Sequence, residues 1–296
     1  MIRNMNKTKE ILAVQSSPPP HWVGDGFPVR GAFGDHAFTP EVSPFLLLDF
    51  AGPAEFPPSE EPRGVGQHPH RGFETVTIVY QGEVEHRDSA GNAGAIGPGD
   101  VQWMTAASGV LHEEKHGREF TRRGGVLEMA QLWVNLPAKA KMSPPRYQTI
   151  LDRDIPAVPL ADGAGGASIV RVIAGDFQGT KGPAHTVTPV SVWDLRLKAG
   201  GRAVLTLPDG FTTLFYVAHG SVVVNGSRMA GEGDTVLFSQ EGEEIAIEAA
   251  KDSVLLVLSG EPIREPIASY GPFVMNTQEE IRRAIADFQA GRMGSL

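Results

Sequence analysis

The chain has 296 residues, more than one ordinary domain needs, so two domains or one large β architecture both fit its length. Acidic residues outnumber basic ones by 35 to 26, for a net charge of -9, which argues against direct nucleic-acid binding through a phosphate-tracking surface. There is no cysteine, which excludes disulfides, thiolate metal sites and cysteine nucleophiles, so any metal must be held by histidine and carboxylate.

The opening residues 1–10 are polar, and the apolar run 11–14 is too short for the core of a signal peptide. No apolar run approaches bilayer-spanning length, and the expectation is a soluble cytoplasmic protein with no membrane partner. The 35 glycines and 23 prolines, with few long helical patterns, predict many short strands joined by turns.

Residues 1–66 carry short apolar runs separated by breakers, and PFLLLDF at 44–50 reads as a buried strand. His21 and His36 sit near turn residues and read as structural or surface positions. After QHPHRG at 67–72 comes a strand rich in β-formers at 75–80, a tight turn at Gln81-Gly82, and a second strand at 83–87. Residues 88–100 read as a Gly-rich loop, followed by a strand at 101–105, a turn at 106–109 and a strand at 110–114.

Alternate side chains of a strand share a face. His68 and His70 therefore point one way, as do His112 and Glu114, and two such strands side by side would converge four metal-ligand groups. Imidazole nitrogens with a carboxylate oxygen suit a divalent first-row metal that keeps coordination positions open for substrate or dioxygen. Parity along the first strand also places Glu74 on the His70 face unless Gly72 makes a bulge, so Glu74 competes with Glu114 for the carboxylate role. His86 and His116 are weaker candidates.

MAQLWVNL at 129–136 is a further apolar strand, and Pro144-Pro145-Arg146 marks a linker. The block from about 168 to 260 repeats the first: GFETVTIVYQG at 72–82 matches GFTTLFYVAHG at 210–220, and the PGDV of 98–101 is echoed at 232–236. At the same offset Thr206 and Pro208 occupy the places of His68 and His70, so the second copy lacks the ligands; His185 and His219 lie in loop or turn positions that rebuild no site. The clearest helix is last, with a Thr277/Glu280 capping box, a stripe of Ile281, Ala284, Ile285 and Phe288, and Gly291 as the stop.

This pattern, His-x-His on one strand and a further histidine on a later one between Gly-rich turns, resembles the cupin superfamily. Nearly the whole chain resembles one member of it, the pirin family, through HWVGDGFPV at 21–29, PFLLLDF at 44–50, HPHRGFETVT at 68–77, GDVQWMTA at 99–106, LWVNLPAKAKM at 132–142 and GEPIREPIASYGPFVMNTQEEI at 260–281. The resemblance implies an all-β bicupin, two antiparallel jelly-roll barrels with a C-terminal helix. The expected domains are 1–143, metal-binding, and 144–296, without metal ligands and carrying the helix at 277–290. It implies His68, His70, His112 and Glu114 as metal ligands, which favours Glu114 over Glu74, and one divalent ion, foremost Fe(II), with Mn, Ni, Cu, Co or Zn as alternatives. Ala107-Ser108-Gly109 departs from the Ala-Gly-x-Gly that pirins often have there.

Two functions follow from the resemblance. One is a quercetin 2,3-dioxygenase-like enzyme that takes a small phenolic flavonol and O2, with Glu114 as ligand or as the base for the 3-hydroxyl proton, and releases a ring-opened ester and carbon monoxide. The other is a metal- and redox-dependent regulator that acts by binding a partner protein, as family members do with a transcription-factor partner in animals.

Overall fold

A computed structural model describes residues 7–34, 40–161 and 168–296. The chain folds as a mostly β bicupin made of two compact units, and every strand pairing between its named strands is antiparallel. His36 lies outside the described residues.

The first unit comprises Pro19–Thr39, Phe45–Asp154 and Ile263–Leu296. Its larger sheet runs in the order Arg146–Ile150, Val101–Thr105, Phe73–Gln81, Gly125–Asn135, Phe45–Phe56, Phe27–Phe33, His21–Val23. Its smaller sheet runs Gly64–His70, Val110–His116, Val84–Asp88, Ala93–Ile96. The strand Ala93–Ile96 lies in the stretch expected to be loop, because Asp88 accepts from the backbone of Ala90 and Asn92 and closes a tight hairpin. The inner faces of the two sheets meet in an apolar cluster that includes Phe27, Val29, Val79 and Met129 from one and Val84 and Ile96 from the other.

The second unit, Met1–Pro18, Pro40–Pro44 and Ile155–Pro262, repeats this topology strand for strand. Its larger sheet has Thr212–His219 where the first has Phe73–Gln81, and Arg202–Thr206 pairs with Glu244–Ala249 as Gly64–His70 pairs with Val110–His116. Its core is one apolar cluster that includes Trp193, Phe215 and Phe238, with the buried hydroxyls of Thr213 and Ser259 bonded to each other beside it, and burial of each phenylalanine is worth about 1.5–3 kcal/mol. Thr206 and Pro208 are exposed here, and the inward positions of that segment are Ala203, Leu205 and Leu207. The second copy keeps the frame and fills it with hydrocarbon.

Packing divides the chain differently from a boundary at 143/144. Residues 11–16 form the edge strand of the second unit against Asp234–Phe238, and buried Lys9 donates there to the carbonyls of Phe211, Ser239 and Gln240. The C-terminal helix, Gln278–Gln289, expected with the second domain, belongs to the first unit: Ile281 and Ala284 pack against Leu111, Phe273 and Met275. Its N-terminus carries the expected capping box, with Thr277 and Glu280 bonding each other's backbone N–H.

One corner positions the site. The chain leaves the smaller sheet at His70 and enters the larger one at Phe73 through Gly72, whose φ of 91° is left-handed. A Cβ at Gly72 would collide with the carbonyl oxygen of Val274. Gly72→Ala is therefore expected to cost more than about 2 kcal/mol in urea unfolding, the sum of backbone strain and a displaced C-terminal segment. Stability within about 0.5 kcal/mol of the wild type would show that the corner is soft.

Candidate metal centre

The strand Val110–His116 sits between Gly64–His70 and Val84–Asp88, and its register sets His112 opposite His68 on one side and opposite Asp88 on the other. Burial alternates along it: His112, Glu114 and His116 are buried, while Glu113 and Lys115 are half-buried on the other face. The shared face expected for His112 and Glu114 is present.

His68, His70 and His112 come together, with ring centroids 4.2 Å apart for His68 and His112 and 4.8 Å for the other two pairs. One ring nitrogen from each lies within 4.8 Å of the others. His68 Nδ1 lies 2.8 Å from the carbonyl of Gly66, and His70 Nδ1 3.4 Å from that of Pro272. A carbonyl only accepts, so Nδ1 carries a proton in both rings and Nε2 is the nitrogen left to ligate. Burial first, then neighbouring imidazoles, hold His70 and His112 well below the ordinary histidine value, so both are neutral near pH 7 and able to ligate. His112 Nε2 is buried and makes no hydrogen bond among the described residues, an omission that costs about 1–3 kcal/mol unless something binds there. Three convergent imidazoles, one with an orphaned nitrogen, fit a divalent first-row metal.

Glu114 stands slightly apart. Its carboxylate groups with His112 and His86 rather than with all three clustered histidines, although it lines the same cavity as His68 and His70. The pairing between Val110–His116 and Gly64–His70 shifts register between His112 and Glu114, and donors from the larger sheet hold the carboxylate. Gln102 Nε2 donates to Oε1 at 2.7 Å and Gln131 Nε2 to Oε2 at 2.8 Å. The one hydroxyl proton of Thr77 lies between two acceptors, Glu114 Oε1 at 3.0 Å and Gln131 Oε1 at 2.7 Å. Strand period does not single out the two glutamines or the threonine; the signal for the glutamines is a polar residue between apolar neighbours, as in VQWMT and MAQLWVNL.

Glu74 is not part of the cluster. The left-handed Gly72 resets the parity, so Phe73, Thr75 and Thr77 face inward and Glu74 takes the opposite face of its strand, where Thr105 donates to it at 2.6 Å. Burial pushes its carboxyl up to about 7, against the hydrogen bond from Thr105. His116 is structural: its Nε2 bonds the carbonyl of Gly26 and its ring packs edge-on against Phe27, Phe56 and Phe120. His86 is a neighbour of the cluster, with Nδ1 3.4 Å from His112 Nδ1. His21 is exposed, and His219 lies 3.7 Å from Glu232 in the second unit.

A cavity of about 340 Å³ opens onto this cluster, walled by Phe27, Val29, Val65, Met129 and Trp133, with His68, His70, Glu114 and Gln131 as polar contacts. That volume lies at the lower end of small-molecule sites, and an apolar wall with a few convergent polar groups is their usual form. The turn beside the site places Ala107, at φ 44°, in the left-handed region.

The sequence model of Pirin matches residues 26–134, and that of the Pirin C-terminal cupin domain matches residues 192–294. A Pseudomonas aeruginosa protein with the provisional name quercetin 2,3-dioxygenase is 57% identical over 284 residues, covering 96% of this chain and 98% of that one. Human Pirin is 37% identical over 284 residues, covering 92% and 89%. The crystal structure of quercetin 2,3-dioxygenase from Acinetobacter baumannii superposes with a TM-score of 0.94 at 51% identity, covering 97% and 99%. Among the described residues, no helix is long and apolar enough to cross a membrane.

The placement of Glu74 has a consequence for stability. Its folded value of about 7 lies above its ordinary 4.5, so between those limits the folded chain holds a proton that the unfolded chain has lost. That contribution to stability is fully present below the lower limit and is lost as pH rises through the upper one. Glutamine has no such proton, so Glu74→Gln should gain on the wild type by on the order of 1 kcal/mol per pH unit across the window, read by urea unfolding at several pH values. A pH-independent difference would mean that Glu74 is solvated.

Proposed function

Because the chain belongs to the pirin family, we propose that it is a metal-dependent dioxygenase that opens a flavonol such as quercetin with O2, giving a ring-opened ester and carbon monoxide. The observation that carries this reading is the orphaned, buried Nε2 of His112 beside His68 and His70, which line an apolar-walled cavity. His68, His70, His112 and Glu114 would hold one divalent ion, with Fe(II) as the first choice for three imidazoles and a carboxylate. Bound there, the metal supplies Lewis acidity to the flavonol 3-oxygen and a place for dioxygen.

The chain's own residues do the rest. Phe27, Val29, Met129 and Trp133 offer apolar walls to a planar aromatic and keep water from the reacting face. Trp133 packs against both His70 and Phe73, with centroids 5.2 and 4.3 Å away, so the wall and the ligand strand are one packed unit. Glu114 takes the 3-hydroxyl proton. The proton arrives on Oε2, the oxygen with capacity left, while Thr77 Oγ1 and Gln102 Nε2 keep donating to Oε1, so the cradle holds the carboxyl in both protonation states. While Glu114 is ionised, Gln102 and Gln131 orient it, and capacity remains on Oε2 to face the metal or the substrate hydroxyl.

Protein purified without chelators or a histidine tag should carry one metal per chain, and His68→Ala and His112→Ala should lose it. Two metals per chain, or metal retained in both variants, would overturn the assignment. Glu114→Gln should weaken metal binding, while Glu74→Gln keeps it.

The Fe(II) form should consume O2 as quercetin absorbance falls, and a flavone lacking the 3-hydroxyl should be left intact, because it has no proton there for Glu114 to take. If Fe, Mn, Ni, Cu and Co forms all leave quercetin at the rate of the metal-free control, the dioxygenase reading fails for this chain.

A further inference from the structure

His68 and His70 rest their second ring nitrogens on backbone carbonyls, but His112 rests its own on a side chain, His86. His86 and Asp88 lie on the neighbouring strand, 3% and 5% exposed, with Asp88 paired in register with His112. We propose that His86 and Asp88 form a hydrogen-bond relay behind the metal centre that fixes the tautomer of His112 and so sets how tightly its Nε2 binds a divalent cation.

The direction of the relay follows from donors and acceptors alone. Asp88 Oδ1 accepts from Ala90 N at 2.9 Å and from Asn92 N at 3.0 Å, and Oδ2 accepts from Asn92 Nδ2 at 2.9 Å, so the carboxyl group is held as an acceptor. His86 Nε2, 3.2 Å from Oδ2, must therefore be the donor. Gln102 directs its amide nitrogen, a donor, at the other ring nitrogen, so His86 Nδ1 is the acceptor. Two groups converge on that nitrogen, Gln102 Nε2 and His112 Nδ1, each at 3.4 Å. His112 Nδ1 then carries its ring's proton, and the lone pair lies on Nε2, the atom with no partner in the fold.

The relay is also rigid. The ring of His86 stacks on Tyr147 at 4.7 Å with 16° between planes, and the Tyr147 hydroxyl donates to Gln102 Oε1 at 3.1 Å. His86, His112 and Glu114 are close enough to share an ion among themselves, and that is the competing role for His86. Asp88 on one side and the stacking on the other hold His86 as the partner of His112 instead. Ligand histidines backed by a carboxylate are better oriented and more basic, and loss of such backing typically costs about 10- to 100-fold in metal affinity.

The test uses the full chain and Co(II) or Fe(II) alone, with affinity read by chelator competition and the number of coordinated imidazoles read by X-ray absorption. His86→Leu should lose about 10- to 100-fold in affinity while the imidazole count stays at that of the wild type. His86→Asn, whose amide oxygen can stand where Nδ1 stood, should recover most of the loss. Asp88→Asn supplies a second variant that spares both rings and should weaken binding as well. Urea midpoints for each separate this from unfolding, and if His86→Leu does not fold, His86→Asn binding more tightly than Asp88→Asn supports the relay and the reverse order overturns it. Unchanged affinity in His86→Leu, equal losses in the Leu and Asn variants, or a lower imidazole count would each overturn the relay. The inference rests on the metal-site reading: a wild type with no affinity for either ion defeats that reading, whereas a tightly binding His86→Leu defeats this one alone.

Discussion

The antiparallel register that puts His112 opposite His68 is the constraint on which the site depends. A slip of one residue would turn His112 and Glu114 outward and bring Glu113 and Lys115 into the interior. Burial guards against that slip, because Val110, His112, Glu114 and His116 face groups that complement them while Glu113 pairs on the outside with Arg87 and Lys115. Each inward polar group has a named partner: Glu114 has its glutamines, His116 the carbonyl of Gly26, and His112 the relay. Along this strand, among the described residues, the side-chain atom left unsatisfied is His112 Nε2, where a metal would act.

The two units show what a frame permits when chemistry is removed. Strand order is the same in both, and Gly210 takes a φ of 81° where Gly72 takes 91°. In the second unit Leu205, Ile245 and Ile247 line the corresponding pair of strands, and the interior closes on itself as hydrocarbon. In the first unit the apolar cluster is confined to Phe27, Val79, Ile96 and their neighbours, and the other end of the sandwich is given to imidazole, carboxylate and amide. Replacing hydrocarbon with satisfied polar groups brings no clear gain in stability, so such an interior is evidence of use rather than of folding.

Much of this was legible in the sequence, and the limits have physical causes. Strand period alone placed His68 with His70 and His112 with Glu114, and the internal repeat revealed the duplicated module. Parity failed at Glu74 because a left-handed glycine restarts the alternation, and a glycine in a sequence does not say which way the chain will turn. The cradle of Glu114 draws on Thr77, Gln102 and Gln131 from three strands, and no local spacing encodes such contacts. His86 was underrated although His86-Arg87-Asp88 has the same two-residue spacing as His68-Pro69-His70, since its value lies in the strand it adjoins. Nor does any change of composition mark that residues 263–296 return to the first unit.

That return has a consequence for how the centre is held. Pro272 presents one carbonyl to both His70 Nδ1 and the backbone N–H of Arg71, at 3.4 and 3.3 Å. The Arg71 side chain then ties Asp287 of the C-terminal helix to the carbonyl of Ser108, the turn that leads into the His112 strand. Lys141, which burial pushes down to about 7, donates to the carbonyls of Gly72 and Val274 and to Asn135, closing the same corner from the other side. All three clustered histidines thus lie on two strands braced by a segment about two hundred residues later in the chain. A loop closure of that length adds little entropic cost beyond a shorter one, because the penalty grows only logarithmically, while the gain is a ligand strand that cannot move without the helix moving too. The geometry of the centre is therefore a property of the assembled first unit, and the contiguous His68–His116 stretch alone does not contain the groups that keep it in place.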